Sequence, residues 1–153
     1  MANTYTQIHI QFVFVVKFRD CIIQDNWKDE LYKYITGIIQ NQKHKLLAIN
    51  GVSDHIHLLV GIRPHQSISD LMQDVKGASS SWINSKKLVP RKFEWQEGYG
   101  AFSYGASQVK NVIRYINNQK IYHQKKTFTE EYLEFLKKFA VEYDERYIFK
   151  EPI

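Results

Sequence analysis

His55 and His57, one residue apart in Asp54-His55-Ile56-His57-Leu58-Leu59-Val60-Gly61-Ile62, carry the chemistry most readily read from this chain. Side chains alternate along a strand, so His55, His57, Leu59 and Gly61 share one face while Ile56, Leu58, Val60 and Ile62 share the other. The second face is continuous core. The first presents two imidazoles side by side, able to hold one metal ion if a third ligand approaches from elsewhere. Without such a ligand, a His-x-His pair simply hydrogen-bonds to neighbours or water.

A second constellation follows in Ser107, Asn111, Tyr115, Gln119 and His123, which recur every four residues and form a polar row unsuited to a core. A tyrosine beside a histidine-bound divalent ion combines a nucleophile with a Lewis acid suited to attack on phosphorus. At an ordinary pKa of about 10, a tyrosine is about one part in a thousand ionised at neutral pH, a deficit of about 4 kcal/mol that a cation offsets. Gln119 lies one helical turn after Tyr115, and its carbonyl oxygen is the expected third ligand. Two nitrogens and one amide oxygen leave positions open for phosphate or water, which favours Mg²⁺ or Mn²⁺ over a closed zinc site. His123 is read as an exposed helix-end residue, with a further ligand or a DNA contact as the alternative. Tyr115, one of ten tyrosines, is otherwise an ordinary surface residue.

The elements that must position these residues follow from periodicity. Thr4 to Phe18 reads as a strand with Ile8, Ile10, Phe12, Phe14 and Val16 on one face and Gln7, His9 and Gln11 on the other. Asp25 is placed to cap a helix to about Lys43 with a stripe of Trp27, Leu31, Tyr34, Ile35 and Ile38. Leu46 to Ser53 is a second strand, turning at Ser53-Asp54 into the histidine strand. Ser67 opens a second helix with Ile68, Leu71, Met72, Val75, Ser79, Trp82 and Ile83 along one side. A short strand within Phe93 to Tyr104 completes βαββαβ, an α+β, ferredoxin-like (RRM-like) antiparallel sheet with both helices on one face. The histidines then point away from those helices. Ser107 caps a helix to about Lys126 that covers the histidine face, and Thr127 or Thr129 opens a last one containing Tyr132, Phe135, Leu136, Phe139 and Tyr143.

At 153 residues, 44% of them hydrophobic, the chain fits a single domain, divided as 1–104 core, 105–126 tyrosine helix and 127–153 C-terminal helix. The lone Cys21 excludes an internal disulfide framework and suits a reducing compartment. The N-terminal apolar run, Phe12 to Val16, is too short for a signal peptide or a membrane span, so the reading is a cytoplasmic protein with no membrane partner. The net charge is +5, but residues 127–153 carry −3 and residues 1–126 carry +8. Such a basic body suits a polyanion partner.

Taken together, four segments resemble the small single-domain tyrosine transposases of the HUH superfamily, the IS200-like type of simple bacterial insertion sequences and their repeat-associated relatives. They are Asp54-His55-Ile56-His57-Leu58-Leu59, Lys76-Gly77-Ala78-Ser79-Ser80-Ser81-Trp82-Ile83-Asn84, Trp95-Gln96-Glu97-Gly98-Tyr99-Gly100-Ala101-Phe102-Ser103 and Tyr115-Ile116-Asn117-Asn118-Gln119. The resemblance implies that His55 and His57 are metal ligands, Tyr115 the nucleophile and Gln119 the ligand added when its helix docks. It implies cleavage and rejoining of single-stranded DNA, recognised by a hairpin at the element's ends, through a 5′-phosphotyrosine. It also implies a homodimer whose tyrosine helix can complete the partner's site; Gly98, Gly100 and Gly105, just before that helix, read either as its hinge or as simple turn residues.

For DNA contacts, Lys17 and Arg19 end the first strand, and Lys86, Lys87, Arg91 and Lys92 cluster after the second helix. The competing readings are a non-catalytic single-stranded nucleic-acid-binding module, which would not need Tyr115 or Gln119, and a repeat-processing relative with the same chemistry. A three-carboxylate transposase is disfavoured, since no acidic cluster accompanies the histidine strand.

Overall fold

A computed structural model describes residues 4–19 and 22–143; the Arg19 side chain, Cys21 and the end of the expected C-terminal segment, 144–153, lie outside the described residues. Four strands, β1 (His9–Val15), β2 (Lys45–Val52), β3 (His55–Gly61) and β4 (Gly100–Tyr104), form one sheet in the order β2-β3-β1-β4. Every neighbouring pair is antiparallel. With α1 (Asp25–Asn41) and α2 (Ile68–Ser85) between them, this is the expected ferredoxin-like α+β arrangement.

Alternation divides the strands between two cores. Phe12, Phe14, Ile56, Leu58 and Val60 pack with Leu31, Ile35, Leu71 and Val75 of α1 and α2. Val13, Val15, Leu59 and Phe102 pack on the opposite face with Val112, Ile116, Phe128, Phe135 and Leu136. The histidine face is therefore covered by α3 (Val109–Asn117), α4 (Gln119–Tyr122) and also α5 (Phe128–Lys138).

Several boundaries differ from the sequence expectation. Asp25 is the first residue of α1, not its cap; Gln24 holds that position without a side-chain hydrogen bond. The buried stripe of α1 is Trp27, Leu31, Tyr32, Ile35 and Ile39, while Tyr34 turns outward to stack on Trp82 at 5.4 Å. Ser67 caps α2 by accepting from the Asp70 amide, and Thr127 caps α5 through a reciprocal pair with Glu130.

The continuous helix expected from Ser107 to Lys126 is broken. A 3-10 turn at Ala106–Gln108 precedes α3, and Asn118, at φ −104° and ψ 22°, separates α3 from α4. The Asn50 side chain on β2 donates to the Ile116 and Asn117 carbonyls at 3.0 and 3.1 Å, satisfying acceptors freed by the break.

The expected glycine hinge is explained by other requirements at two positions. Gly98 occupies φ +85°, which favours glycine, and a Cβ on Gly100 would lie 2.9 Å from the Tyr132 ring. Segments matched by the resemblance brace this turn: Lys76 donates to the Gln96 and Gly98 carbonyls, and Trp95 Nε1 donates to the buried Ser79 hydroxyl. Among the described residues no helix is long and apolar enough to cross a membrane.

Candidate metal and tyrosine site

The β2-β3 hairpin fixes the two histidines. Ile56 opposes Gly51, where a Cβ would fall 2.1 Å from the His55 carbonyl oxygen, so the tight approach requires glycine. His55 and His57 project to the same face and are fully buried, with ring centroids 5.1 Å apart. His55 Nδ1 lies 2.7 Å from Asp54 Oδ1. His57 Nδ1 lies 2.9 Å from the amide of Gln11 on β1, which in turn accepts from the Tyr104 hydroxyl at 2.8 Å. Such partners hold an imidazole's orientation and leave Nε2 for the site.

The third side comes from α4 and α5. Gln119, buried as expected of an inward donor, places Oε1 3.3 Å from His55 Nε2 and 3.1 Å from His123 Nε2. His123 corrects the sequence reading: its side chain is only 11% exposed, and its Nδ1 is 3.0 Å from the Lys126 carbonyl oxygen. Glu131, which the sequence reading missed, is 1% exposed. Its Oε1 stands 3.6 Å from His55 Nε2, 3.2 Å from His57 Nε2 and 3.2 Å from His123 Nε2. Gln119 Nε2 donates to its other oxygen at 3.3 Å.

The signal for Glu131 was an acid inside an apolar stripe. It lies three residues after Phe128 and four before Phe135, so it must share their buried face. Stacking of Phe135 on Phe102 at 5.0 Å, and contact of Phe139 with Phe102 and Tyr104 at 5.1 and 5.3 Å, press that face onto β4.

Burial dominates the electrostatics. It raises the Glu131 carboxyl to about 8, with His55 opposing the rise, and lowers His57 to about 3 and His123 to about 4. Glu131, His57 and His123 are thus each biased toward the neutral form by the same burial. One ligand atom from each of His55, His57, His123 and Glu131 lies within 4.8 Å of the others, a donor set that fits a divalent ion.

Tyr115 sits beside this cluster, its ring edge-on to His57 at 5.7 Å and to Tyr122 at 5.1 Å. Its hydroxyl is buried without a hydrogen-bond partner among the described residues. Tyr115 also lines a cleft of about 250 Å³ with Gln11, Tyr104, Asn111, Tyr122 and Lys138. The four-residue row is only partly realised: Tyr115, Gln119 and His123 converge, whereas Ser107 and Asn111 are exposed.

The basic residues separate into two places. Lys17, paired with Glu94 at 3.1 Å, lines a cleft of about 400 Å³ with Arg91 and Lys92. It lies two residues beyond Val15, the register partner of His55, hence at the histidine end of the sheet. Lys86 and Lys87 follow the C-terminal end of α2, with the Lys86 ammonium 5.5 Å from the Trp82 ring centre.

Residues 4–119 match the family profile described as Transposase IS200 like. The ISDra2 transposase TnpA of Deinococcus radiodurans is 27% identical over 118 residues, covering 74% of this chain and 84% of that protein. A crystal structure from Deinococcus radiodurans R1 described as a transposase superposes with a TM-score of 0.61 at 23% identity, over 78% of this chain and 96% of that one. A REP-associated tyrosine transposase bound to a REP hairpin superposes at 0.60 and 13% identity, over 80% and 73%. These two structures share the fold.

Proposed function

Since the chain belongs to the IS200-like transposase family, we propose that it cuts and rejoins single-stranded DNA with Tyr115 as nucleophile, within a single transposase domain. The observation that carries this reading is the unpartnered Tyr115 hydroxyl, buried beside His57 at the edge of an open cleft. A buried phenol with no partner forgoes a hydrogen bond worth about 1 kcal/mol, a cost that a reacting phosphate in the cleft would remove.

In this reading His55, His57 and Gln119 hold a divalent ion, Mg²⁺ or Mn²⁺. When bound, the ion neutralises charge on a phosphate oxygen. Asp54 and Gln11 keep the two imidazoles aimed at the ion. Tyr115 loses its proton and its oxygen bonds to phosphorus, while the bond from phosphorus to the 3′-oxygen breaks and that oxygen takes up a proton. A 5′-phosphotyrosine and a free 3′-hydroxyl result. Attack on the phosphotyrosine by another 3′-hydroxyl reverses the step and rejoins DNA without an external energy source.

The substrate we propose is single-stranded DNA carrying a hairpin, in the cytoplasm. The hairpin-bound relative supports this by its ligand. The Lys17, Arg91 and Lys92 cleft is placed to hold stem phosphates, with Arg19, Lys86 and Lys87 as further contacts. A homodimer is part of the proposal. Here Tyr115 meets His57 of its own chain, and exchange of the tyrosine helix between subunits is tested by mixing Tyr115→Phe with His57→Ala protein. Recovered cleavage supports exchange, and none supports action within one chain.

The decisive experiment is a denaturing gel for a covalent adduct, using single-stranded DNA from both flanks of the gene with Mn²⁺ or Mg²⁺. An adduct that requires metal and disappears in Tyr115→Phe is expected. Tight hairpin binding without any adduct would favour the non-catalytic binding module.

A further inference from the structure

We propose that His123 and Glu131 are ligands of the same ion as His55 and His57, so that α5 closes a nitrogen-rich centre selecting a transition-metal dication over Mg²⁺. This deepens the preceding reading, since it concerns the ion that reading requires.

Three imidazoles from two separate regions are oriented alike. Each has Nδ1 against a partner: Asp54 Oδ1 for His55, the Gln11 amide for His57, and the Lys126 carbonyl for His123. Each directs Nε2 to one atom, Glu131 Oε1, at 3.6, 3.2 and 3.2 Å. A half-turn of the Gln11 amide lets its oxygen accept from His57 Nδ1–H, the tautomer in which Nε2 can bind metal.

Ligand atoms at the roughly 2.0–2.2 Å typical of Zn–N and Zn–O bonds sit about 3.3–3.6 Å apart at the corners of a tetrahedron. The three edges from Nε2 to Glu131 Oε1, at 3.6, 3.2 and 3.2 Å, are close to that spacing, and all four ligand atoms lie within 4.8 Å of one another. Gln119 Oε1, at 3.1 and 3.3 Å from two of the same nitrogens, supplies a fifth donor.

An ionised carboxylate buried among neutral imidazoles needs a cation to offset its lost hydration, and among the described residues no Lys or Arg is paired with Glu131. The Glu131 oxygens are instead occupied by the three imidazoles and the Gln119 amide. A site with three imidazoles suits Fe²⁺, Co²⁺ or Zn²⁺ best and takes Mn²⁺ more weakly, whereas Mg²⁺ prefers oxygen ligands and retained water. Of the two ions expected from the sequence, this set fits Mn²⁺.

The test is metal binding by the full chain after chelation, without DNA. Free Mn²⁺ is followed by electron paramagnetic resonance, Co²⁺ by its visible absorption, and Mg²⁺ by competition against Mn²⁺. Wild type should bind Mn²⁺ more tightly than Mg²⁺. Glu131→Gln and His123→Ala should each weaken Mn²⁺ about 10–100-fold and alter the Co²⁺ spectrum. Asp25→Asn, across the sheet on α1, should leave both unchanged.

Circular dichroism checks each fold, and the near-isosteric Glu131→Gln keeps the test decisive if His123→Ala unfolds. Wild-type affinity and spectrum in both variants, or Mg²⁺ binding as tight as Mn²⁺, would overturn the inference. That result leaves Tyr115 chemistry at a His55, His57 and Gln119 site standing. A wild type that binds Mn²⁺ as described yet forms no DNA adduct would refute the cleavage reading alone.

Discussion

The same strands face two unlike interiors. Toward α1 and α2, β1 and β3 present Phe12, Phe14, Ile56, Leu58 and Val60, and the interface is held by apolar contact. Toward α3, α4 and α5 they present Gln11, His55 and His57 among Val13, Val15 and Leu59, and the interface buries polar groups that need particular partners. The first face requires only apolar side chains of suitable volume. The second requires one arrangement of donors and acceptors, because each unmatched buried polar group costs about 1–3 kcal/mol. Stability is concentrated on one side and specificity on the other.

Substitutions on the two sides should separate these roles. Leu58→Ala, fully buried on the apolar side, should cost about 2–5 kcal/mol in urea denaturation and lower activity only through loss of folded protein. Glu131→Gln should act in the opposite direction. With Glu131 raised to about 8 from an ordinary 4.5, the folded metal-free chain keeps a proton that the unfolded chain releases, so stability falls as pH rises through that window. Removing that titration should stabilise the metal-free protein at pH 7.5 by up to about 4 kcal/mol while weakening metal binding.

His57 and His123 have the reverse sign. They are held neutral to about 3 and about 4, whereas the unfolded chain takes up protons below about 6.5, so stability is lost as pH falls from there. Thermal melts of the metal-free protein should therefore peak near pH 6, by the balance of these shifts. A wild type whose stability rises from pH 6 to 8 without metal would break the contrast.

Asn50→Ala should have a smaller effect, about 1 kcal/mol, with a parallel fall in metal affinity as the α3 to α4 break loses its anchor. A stability loss with unchanged affinity would show that the break does not position Gln119. Tyr115→Phe should separate stability from activity most cleanly. Its hydroxyl has no partner among the described residues, so removing it should raise stability by about 1 kcal/mol while the DNA adduct disappears.

The apolar side was legible because its rule is local: alternation in β1 and β3 and helical stripes in α1 and α2 each identify a buried face. Even there Tyr34 turned outward, to stack on Trp82, while Tyr32 and Ile39 turned inward, since α1 buries a face beside the stripe its apolar residues suggest. The polar side was half legible. His55, His57, Tyr115 and Gln119 could be grouped by spacing and resemblance, but His123 was read as exposed because it stands near the expected end of its helix, where only the packing of α5 decides burial. Asn50, sixty-six residues before Ile116, holds the α3 to α4 break through a contact that no local pattern foretells. Glu131 left a trace, an acid in an apolar stripe, whose meaning depends on what that stripe faces.

Alternation in Asp54 to Ile62 alone determined that both histidines share a face opposite the main core, because strand geometry allows no other arrangement. Periodicity likewise determined the order of the four strands and of α1 and α2 between them, though not the split of the tyrosine helix into α3 and α4. Only the tertiary structure decided which donors join the histidines. Residues 55, 57, 119, 123 and 131 lie on three elements whose relative placement depends on Phe102, Phe135 and Phe139 stacking, on Gly100 making room for Tyr132, and on Asn50 holding a helix end. These are contacts between distant segments, and no local periodicity encodes the distance between side chains that meet only after the chain has packed.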